Sequence, residues 1–207
     1  LEKMLPLALE CSVIVARGAD DGTVHLPVQR NLHRDGILAV TEVFEQNWPL
    51  ALIQQAIAAA ISIANGLNYV GVLCVKFFVL QDGSLVVNEI APRPHNSGHY
   101  SQNACDISQF ELQVRTMAGL PLVQPRQHSA AVMLNLLGDL WFAQGDAEQT
   151  PPWAAVLALP GAHLHLYGKR EAKRGRKMGH LNITAATPET ARATALKAAA
   201  LLGIAPF

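Results

Sequence analysis

The segment at residues 88–100 concentrates side chains that could do chemistry. Glu89 offers a carboxylate, Arg93 a fixed cation, and His95 a ring that can accept a proton near pH 7. Two prolines stiffen the backbone between Glu89 and His95, directly after an apolar run that predicts a strand. Polar groups held by rigid backbone at a strand end are typical of a preorganised site. A polar loop that satisfies only its own backbone would have the same residue types, so both interpretations stay open.

The basic segment at residues 169–177 is the strongest local charge in the chain. Three interpretations compete: a solvated surface loop, a nucleic-acid patch, and the wall of a pocket for one phosphate group. Residue types alone favour the solvated loop, because charge runs usually face water. The chain has 16 Lys and Arg against 16 Asp and Glu, and this zero net charge argues against a general nucleic-acid binder.

The bulk composition predicts a globular protein without a membrane segment. Half of the residues are apolar, but no apolar run reaches the length of a membrane span. The first residues lack the pattern of a signal peptide, and the sequence begins with Leu1 rather than Met, so we expect it to start inside a longer gene product. The three cysteines match no metal pattern, which favours buried, reduced thiols in a cytoplasmic protein.

Strands and helices in mixed order predict an α+β fold. The Asp82-Gly83 pair predicts a two-residue hairpin turn, and Asp106 with Gln109 has the spacing of a capping box. A shift in composition near residues 138–152 divides the chain into a catalytic part at 1–137 and a small, β-rich C-terminal subdomain at 138–207. The predicted strands are 11–17 and 23–29 (a hairpin), 70–80 and 85–90 (a second hairpin), 130–137, 163–167 and 177–184; the predicted helices are 47–66, 106–118 and 187–203.

Residues 88–100, with Gln109-Phe110-Glu111, resemble the signature of the N5-carboxyaminoimidazole ribonucleotide synthetases, the ATPase subunits of phosphoribosylaminoimidazole carboxylase. The resemblance extends through residues 16–18, 31–38 and 175–182, and so covers nearly the whole chain. It implies an ATP-grasp fold that holds ATP between two subdomains. It also implies ATP-dependent activation of bicarbonate to carboxyphosphate, followed by carboxylation of aminoimidazole ribonucleotide in purine biosynthesis.

The resemblance assigns roles residue by residue, with ATP and magnesium as cofactors. It implies that Lys169 and Arg176, with Lys177, hold the phosphate of the ribonucleotide, and that a homodimer is possible. It makes His95 a plausible proton carrier in the bicarbonate pocket. The other assignments are Glu2 beside the adenine, Glu10 at the ribose, Asn88 and Glu89 at the magnesium–phosphate end, and Arg93, His95, Asn96 and Ser97 around bicarbonate and its phosphorylated product.

One residue departs from the pattern of the family, which has a glutamate at the position of Lys76. A two-residue Asp82-Gly83 turn would make the residue numbers across the hairpin sum to 165, which places Lys76 opposite Glu89. The Lys76 ammonium would then face the remaining carboxylate of a magnesium-binding pair. We therefore expect weakened or altered magnesium binding.

A second departure is length, because the family's N-terminal domain and its lysine-bearing ATP-grasp subdomain have no counterpart in this sequence. Two alternatives to a complete ligase follow. One is a catalytically impaired remnant that still binds a phosphorylated ligand. The other is an assembly module, one half of a split enzyme that pairs with an N-terminal domain. No nucleic-acid or membrane partner is expected.

Overall fold

A computed structural model describes residues 4–44, 48–143 and 145–207. It confirms the α+β prediction. Short 3-10 helices at Asn96–Gly98 and Gly138–Phe142 complete the elements of these residues. The strands are β1 (Leu7–Arg17), β2 (Thr23–His25), β3 (Gln29–Arg34), β4 (Ile37–Val43), β5 (Gly71–Leu80), β6 (Leu85–Ala91), β7 (Ala130–Leu137), β8 (Ala162–Leu166) and β9 (Lys177–Ala185); the helices are α1 (Leu50–Gly66), α2 (Ser101–Ala104), α3 (Gln109–Met117), α4 (Trp153–Leu157) and α5 (Pro188–Leu202).

Within the described residues, all nine strands form one antiparallel sheet in the order β6-β5-β1-β3-β4-β7-β9-β8, with β2 beside β1. Side chains alternate between the two faces of a strand, so the register sorts them. Helices α1 and α5 cover one face through aliphatic clusters. The opposite face packs against α2, α3 and the loop at residues 92–100. This second face carries the polar residues considered below.

Three turns differ from the sequence prediction. One is the turn at Asp82-Gly83, which has three residues rather than two, since Leu80 N–H donates to Ser84 O at 2.9 Å. The predicted strand at 23–29 ends at His25, because Pro27 has no N–H for a ladder, and the chain re-enters the sheet as β3. The hairpin between β3 and β4 was not predicted. Its turn residues Asp35 and Gly36 have φ of 48° and 73°, as a two-residue turn with left-handed backbone requires.

The predicted capping box at the start of α3 is displaced by two residues. Ser108 is the cap, since its hydroxyl accepts a hydrogen bond from Glu111 N–H at 3.2 Å. The Asp106 carboxylate accepts instead from Arg126 N–H at 2.7 Å. The predicted Thr187 cap and the Gly203 stop of α5 are confirmed. The residue at which the helix before Gly66 was expected to begin, Asn47, lies outside the described residues.

The proposed division between residues 137 and 138 falls at the end of β7. The sheet continues through this point, because β7 pairs with β4 on one side and with β9 on the other. The division stays a prediction.

Candidate functional site

Strand pairing aligns polar side chains across one face of the sheet. Glu89 on β6 lies opposite Lys76 on β5, and Lys76 lies opposite Ser12 on β1. Ser12 in turn lies opposite Gln29 on β3. Directly opposed residues share a face and are close enough to interact. The sheet therefore presents a polar row that begins at its β6 edge and runs inward.

The β5–β6 hairpin brings Lys76 and Glu89 into an ion pair. Lys76 Nζ donates to Glu89 Oε2 at 2.8 Å. This hydrogen bond lowers the pKa of the Glu89 carboxyl. The Lys76 side chain is 13% exposed and that of Glu89 52%, so the ammonium lies mostly inside the protein while the carboxylate reaches water.

The loop that follows β6 is held by one buried side chain, Gln109 of α3. Gln109 Oε1 accepts from His95 N–H at 2.9 Å, and Gln109 Nε2 donates to His95 O at 2.8 Å. The same Nε2 lies 3.0 Å from His99 Nδ1. Gly98 is needed here, because a Cβ atom at this position would lie 2.5 Å from Gln109 Oε1 and 2.4 Å from a methyl of Ile14. These contacts hold the backbone of the loop in place against the sheet.

His95 is buried and neutral at pH 7. Its Nδ1 accepts from Ser97 N–H at 3.2 Å, so the proton of the neutral ring is on Nε2. Burial lowers its pKa to about 4, and the charges of Lys76 and Arg93 add to that effect. A ring with this pKa is a weak base at pH 7. It is suited to donate a hydrogen bond from Nε2 rather than to accept a proton.

Beneath the loop, buried hydroxyl and amide groups connect Ser97 to the centre of the sheet. Ser12 Oγ lies 2.9 Å from both Ser97 Oγ and Gln29 Oε1. Asn31 Nδ2 donates to Ser12 Oγ, and Thr41 Oγ1 donates to Asn31 Oδ1, each at 2.9 Å. Ser97 is among the predicted site residues, whereas sequence reasoning missed Ser12, Gln29 and Thr41. The available signal was a polar side chain within an apolar strand, such as Ser12 in β1.

The basic residues at 169–177 differ in burial and in the groups that they contact. Lys177 is half-buried, and burial lowers its pKa, with Arg93 and Lys76 as the next causes. Lys169 Nζ donates to Lys177 O and lies 5.8 Å from the centre of the Tyr167 ring. Arg176 is exposed and donates to Glu171 O at 3.2 Å, within its own loop. Lys177 therefore joins the charges around Glu89, whereas Arg176 faces water.

Glu10 lies apart from the loop, along a cleft of about 870 Å³. Its Oε2 is 2.9 Å from His33 Nδ1. Arg30, Phe44 and Arg192 also line this cleft. Glu2, the other carboxylate assigned to the nucleoside, lies outside the described residues.

Comparison with known proteins gives two matches to family models. Residues 1–110 match the ATP-grasp domain, and residues 131–194 match the phosphoribosylaminoimidazole carboxylase C-terminal domain. The chain belongs to the ATP-grasp family.

Relatives and solved structures identify the branch of the ATP-grasp family that this chain resembles. It is 45% identical over 194 residues to the N5-carboxyaminoimidazole ribonucleotide synthase of Brucella melitensis, covering 92% of this chain and 49% of that protein. The crystal structure of an ADP complex of an N5-carboxyaminoimidazole ribonucleotide synthetase superposes with a TM-score of 0.85 at 41% identity, covering 95% of this chain and 50% of the other. The Aspergillus clavatus synthase, crystallised with ADP and 5-aminoimidazole ribonucleotide, has a TM-score of 0.87 at 30% identity, covering 98% and 53%.

This ATP-grasp chain spans about half the length of the curated relatives it matches. It corresponds to their C-terminal portion. The family resemblance read from residues 88–100 is therefore confirmed. The role of each site residue stays a prediction.

A stack of three histidines joins the loop to the C-terminal strands of the ATP-grasp chain. The His99 and His180 rings are 4.4 Å apart, and the His180 and His165 rings 4.5 Å apart. The Tyr167 hydroxyl lies 3.0 Å from His180 Nδ1. Burial lowers the pKa of both His99 and His180 to about 3, so these rings stack as neutral groups. No pattern in residues 88–100 or 163–182 predicts this stack, since it depends on long-range packing.

The residues that the family resemblance assigns to magnesium do not fit a divalent cation. Within the described residues, no group of three or more His, Cys, Asp or Glu side chains could hold a metal ion. The assigned carboxylate, Glu89, is already paired with the Lys76 ammonium. Magnesium requires hard oxygen ligands, usually one or two carboxylates with phosphate oxygens. An ammonium in contact with the carboxylate opposes this arrangement by charge.

Two further findings concern the same described residues. None of their helices is long and apolar enough to cross a membrane. Cys11, Cys74 and Cys105 are all free and buried, as expected for reduced core thiols.

Proposed function

We propose that this chain is the C-terminal, active-site part of an ATP-dependent ligase that carboxylates 5-aminoimidazole ribonucleotide with bicarbonate in de novo purine biosynthesis. The observation that carries the proposal is the fixed loop beside the basic segment: Arg93, His95 and Ser97 next to Lys177, with Gln109 holding the backbone. This arrangement offers a cation, a neutral ring and hydroxyls to a small anion. The relatives are named as enzymes of this reaction, and the free thiols agree with the expected cytoplasmic location.

The chemistry proposed has two steps. A bicarbonate oxygen attacks the γ-phosphorus of ATP, the bond to the ADP oxygen breaks, and carboxyphosphate forms. The amine of the ribonucleotide then attacks the carboxyl carbon, the bond to the phosphate oxygen breaks, and the leaving inorganic phosphate takes the proton that the amine loses. Carboxyphosphate is anionic and short-lived in water, so Arg93 would stabilise it and the closed loop would shelter it.

The remaining roles follow the family resemblance. Arg93, His95, Asn96 and Ser97 are proposed to bind bicarbonate and its phosphorylated product, and Asn88 and Glu89 to face the ATP phosphates. Lys169, Arg176 and Lys177 are proposed to hold the phosphate of the ribonucleotide. Glu2 and Glu10 are proposed to contact the nucleoside of ATP. Magnesium is the ion that the resemblance implies, and no step is assigned to it here.

The test is ADP release from ATP and bicarbonate, with and without 5-aminoimidazole ribonucleotide. We expect no turnover by this chain alone, and ribonucleotide-dependent turnover after mixing with an N-terminal fragment of a relative. An Arg93→Gln variant should lose that turnover while remaining folded. Turnover that does not depend on the ribonucleotide would contradict the proposed substrate.

A second candidate function, an assembly module in a split enzyme, is favoured by the exposed edge of the sheet. Strand β6 is one of the two edge strands at the ends of the described sheet, the other being β8, and Val87 and Ile90 on β6 are 45% and 39% exposed. Apolar side chains on an unpaired edge favour association with another chain. An N-terminal domain and a second copy, giving a homodimer, are the two partners expected. A monodisperse monomer that does not bind an N-terminal fragment would count against the module.

A further inference from the structure

The Lys76–Glu89 pair leaves hydrogen-bonding capacity on the ammonium. An ammonium has three N–H donors, and within the described residues Lys76 makes one side-chain hydrogen bond, to Glu89. The Lys76 side chain is 13% exposed, so its position is fixed by the strands around it. The two remaining donors are available to a ligand at the β6 edge of the sheet.

Two other cations lie close enough to act on the same groups. Arg93 follows Glu89 by four residues, just past the end of β6, and Lys177 is half-buried at the start of β9, where it interacts electrostatically with Arg93, Lys76 and Glu89. Three cations therefore share this region with one carboxylate, while His95 is neutral at pH 7. The net charge is positive without any metal ion.

A positive cluster of this kind favours phosphate oxygens over a divalent cation. Magnesium in phosphoryl-transfer sites neutralises the negative charge of the phosphates and bridges their oxygens. Here Lys76 already supplies a positive charge against Glu89, and a nearby divalent cation would be repelled by three like charges. Lys and Arg bind phosphate through charge-assisted hydrogen bonds.

We propose that Lys76, together with Arg93, binds the terminal phosphates of the nucleotide directly, so that this chain takes metal-free nucleotide polyphosphate at the β6 edge. The proposal rests on the nucleotide-binding part of the proposed function and departs from the family's use of magnesium at that position. Lys76 acts as a phosphate-binding residue, and Glu89 holds its ammonium in place.

Isothermal titration of ADP into this chain, in excess magnesium and then in EDTA, tests the proposal. We expect the two dissociation constants to agree within about threefold, since the cation cluster supplies the charge. In the Lys76→Glu variant, ADP should bind at least about tenfold more tightly with magnesium than without it. Lys76→Gln should weaken ADP binding under both conditions.

Lys197→Glu makes the same charge change on the exposed surface of α5 and serves as the matched control. It should leave both dissociation constants unchanged. Thermal unfolding of each variant establishes that it is folded, and Lys76→Gln tests the ammonium even if two adjacent carboxylates destabilise Lys76→Glu. ADP binding by the unaltered chain that requires magnesium would overturn the inference and leave the proposed function standing. Absence of ADP binding in both conditions would overturn the nucleotide-binding proposal and the inference with it.

Discussion

The β6 edge of the site and the network beneath the loop hold their polar groups in different ways. At the edge, Lys76 and Glu89 pair with each other, and the carboxylate is half exposed to water. Under the loop, Ser12, Gln29 and Ser97 are fully buried and depend on one another for hydrogen bonds. An exposed ion pair contributes about 0–1 kcal/mol, whereas a buried polar group left unpaired costs about 1–3 kcal/mol.

This difference indicates which part of the site can change without loss of the fold. A charge at the edge can be exchanged at small cost, because water and the partner side chain compensate for it. A change in the buried network leaves donors or acceptors without partners. Lys76, which stands where the family resemblance implies a magnesium-binding glutamate, lies at the edge.

The largest effect should come from pH and should arise in the buried region. Unfolded histidine titrates near 6.5, whereas burial lowers the pKa of His95 to about 4 and those of His99 and His180 to about 3. As pH falls below 6.5 the unfolded chain binds protons that the folded chain does not, so the stability present above pH 6.5 is lost towards pH 4. We expect the free energy of unfolding to fall by roughly 5–6 kcal/mol between pH 7 and pH 5, which is about 1.9 kcal/mol for each of the three rings.

Denaturant unfolding at a series of pH values measures this loss. The His180→Gln variant should have a shallower dependence, because one of the buried rings no longer titrates. The lowered pKa of Glu89 acts in the same direction but at lower pH, below the unfolded value of a carboxyl. A stability that stays constant from pH 7 to pH 5 would contradict the burial of these rings.

Removal of the Gln109 side chain should have the next largest effect. Gln109→Ala leaves the buried N–H and carbonyl of His95 without partners, and we expect a loss of about 3 kcal/mol in the free energy of unfolding. Gln102→Ala, at an exposed position on α2, should change it by less than about 0.5 kcal/mol. Equal stability of the two variants would show that Gln109 does not hold the loop.

Gln109 also shows how far sequence reasoning reached. Gln109 belongs to the segment that resembles the family signature, and its spacing from Asp106 predicts a capping role. That role is wrong, because Ser108 is the cap. Its side chain instead points inward to residues that precede it by ten or more positions. A local pattern cannot indicate such a contact, because the partner is selected by tertiary packing.

The predicted pairing of Lys76 with Glu89 is confirmed. The hairpin nevertheless differs from the predicted one in two ways, and their effects on the register cancel. The turn has three residues, since Leu80 N–H donates to Ser84 O and Val79 lies opposite Leu85. The register then shifts by one residue between Phe77 and Lys76, because Asn88 forms a bulge. The Asp82-Gly83 pair predicts that a turn forms but does not decide between two and three turn residues, and a bulge depends on what the strand packs against.

Disruption of the buried network should have a moderate effect. Ser12→Ala removes a hydroxyl that lies within hydrogen-bond distance of Gln29, Asn31 and Ser97. We expect the free energy of unfolding to fall by about 1–2 kcal/mol, since two amide groups lose a buried partner. Chemical denaturation measures it. An unchanged free energy of unfolding would mean that water replaces the hydroxyl. The buried network would then tolerate substitution as well as the β6 edge does.

The smallest effect on stability should come from the β6 edge. Lys76 stands there in place of the glutamate that the family resemblance implies. Lys76→Gln removes the ion pair but leaves Glu89 half exposed, so water can solvate the carboxylate. We expect the free energy of unfolding to change by less than about 1 kcal/mol. The same variant should weaken ADP binding, which separates binding from folding at one residue. A loss above about 2 kcal/mol would place Lys76 in the scaffold with Ser12 and Gln109, since only a desolvated pair is that costly to break.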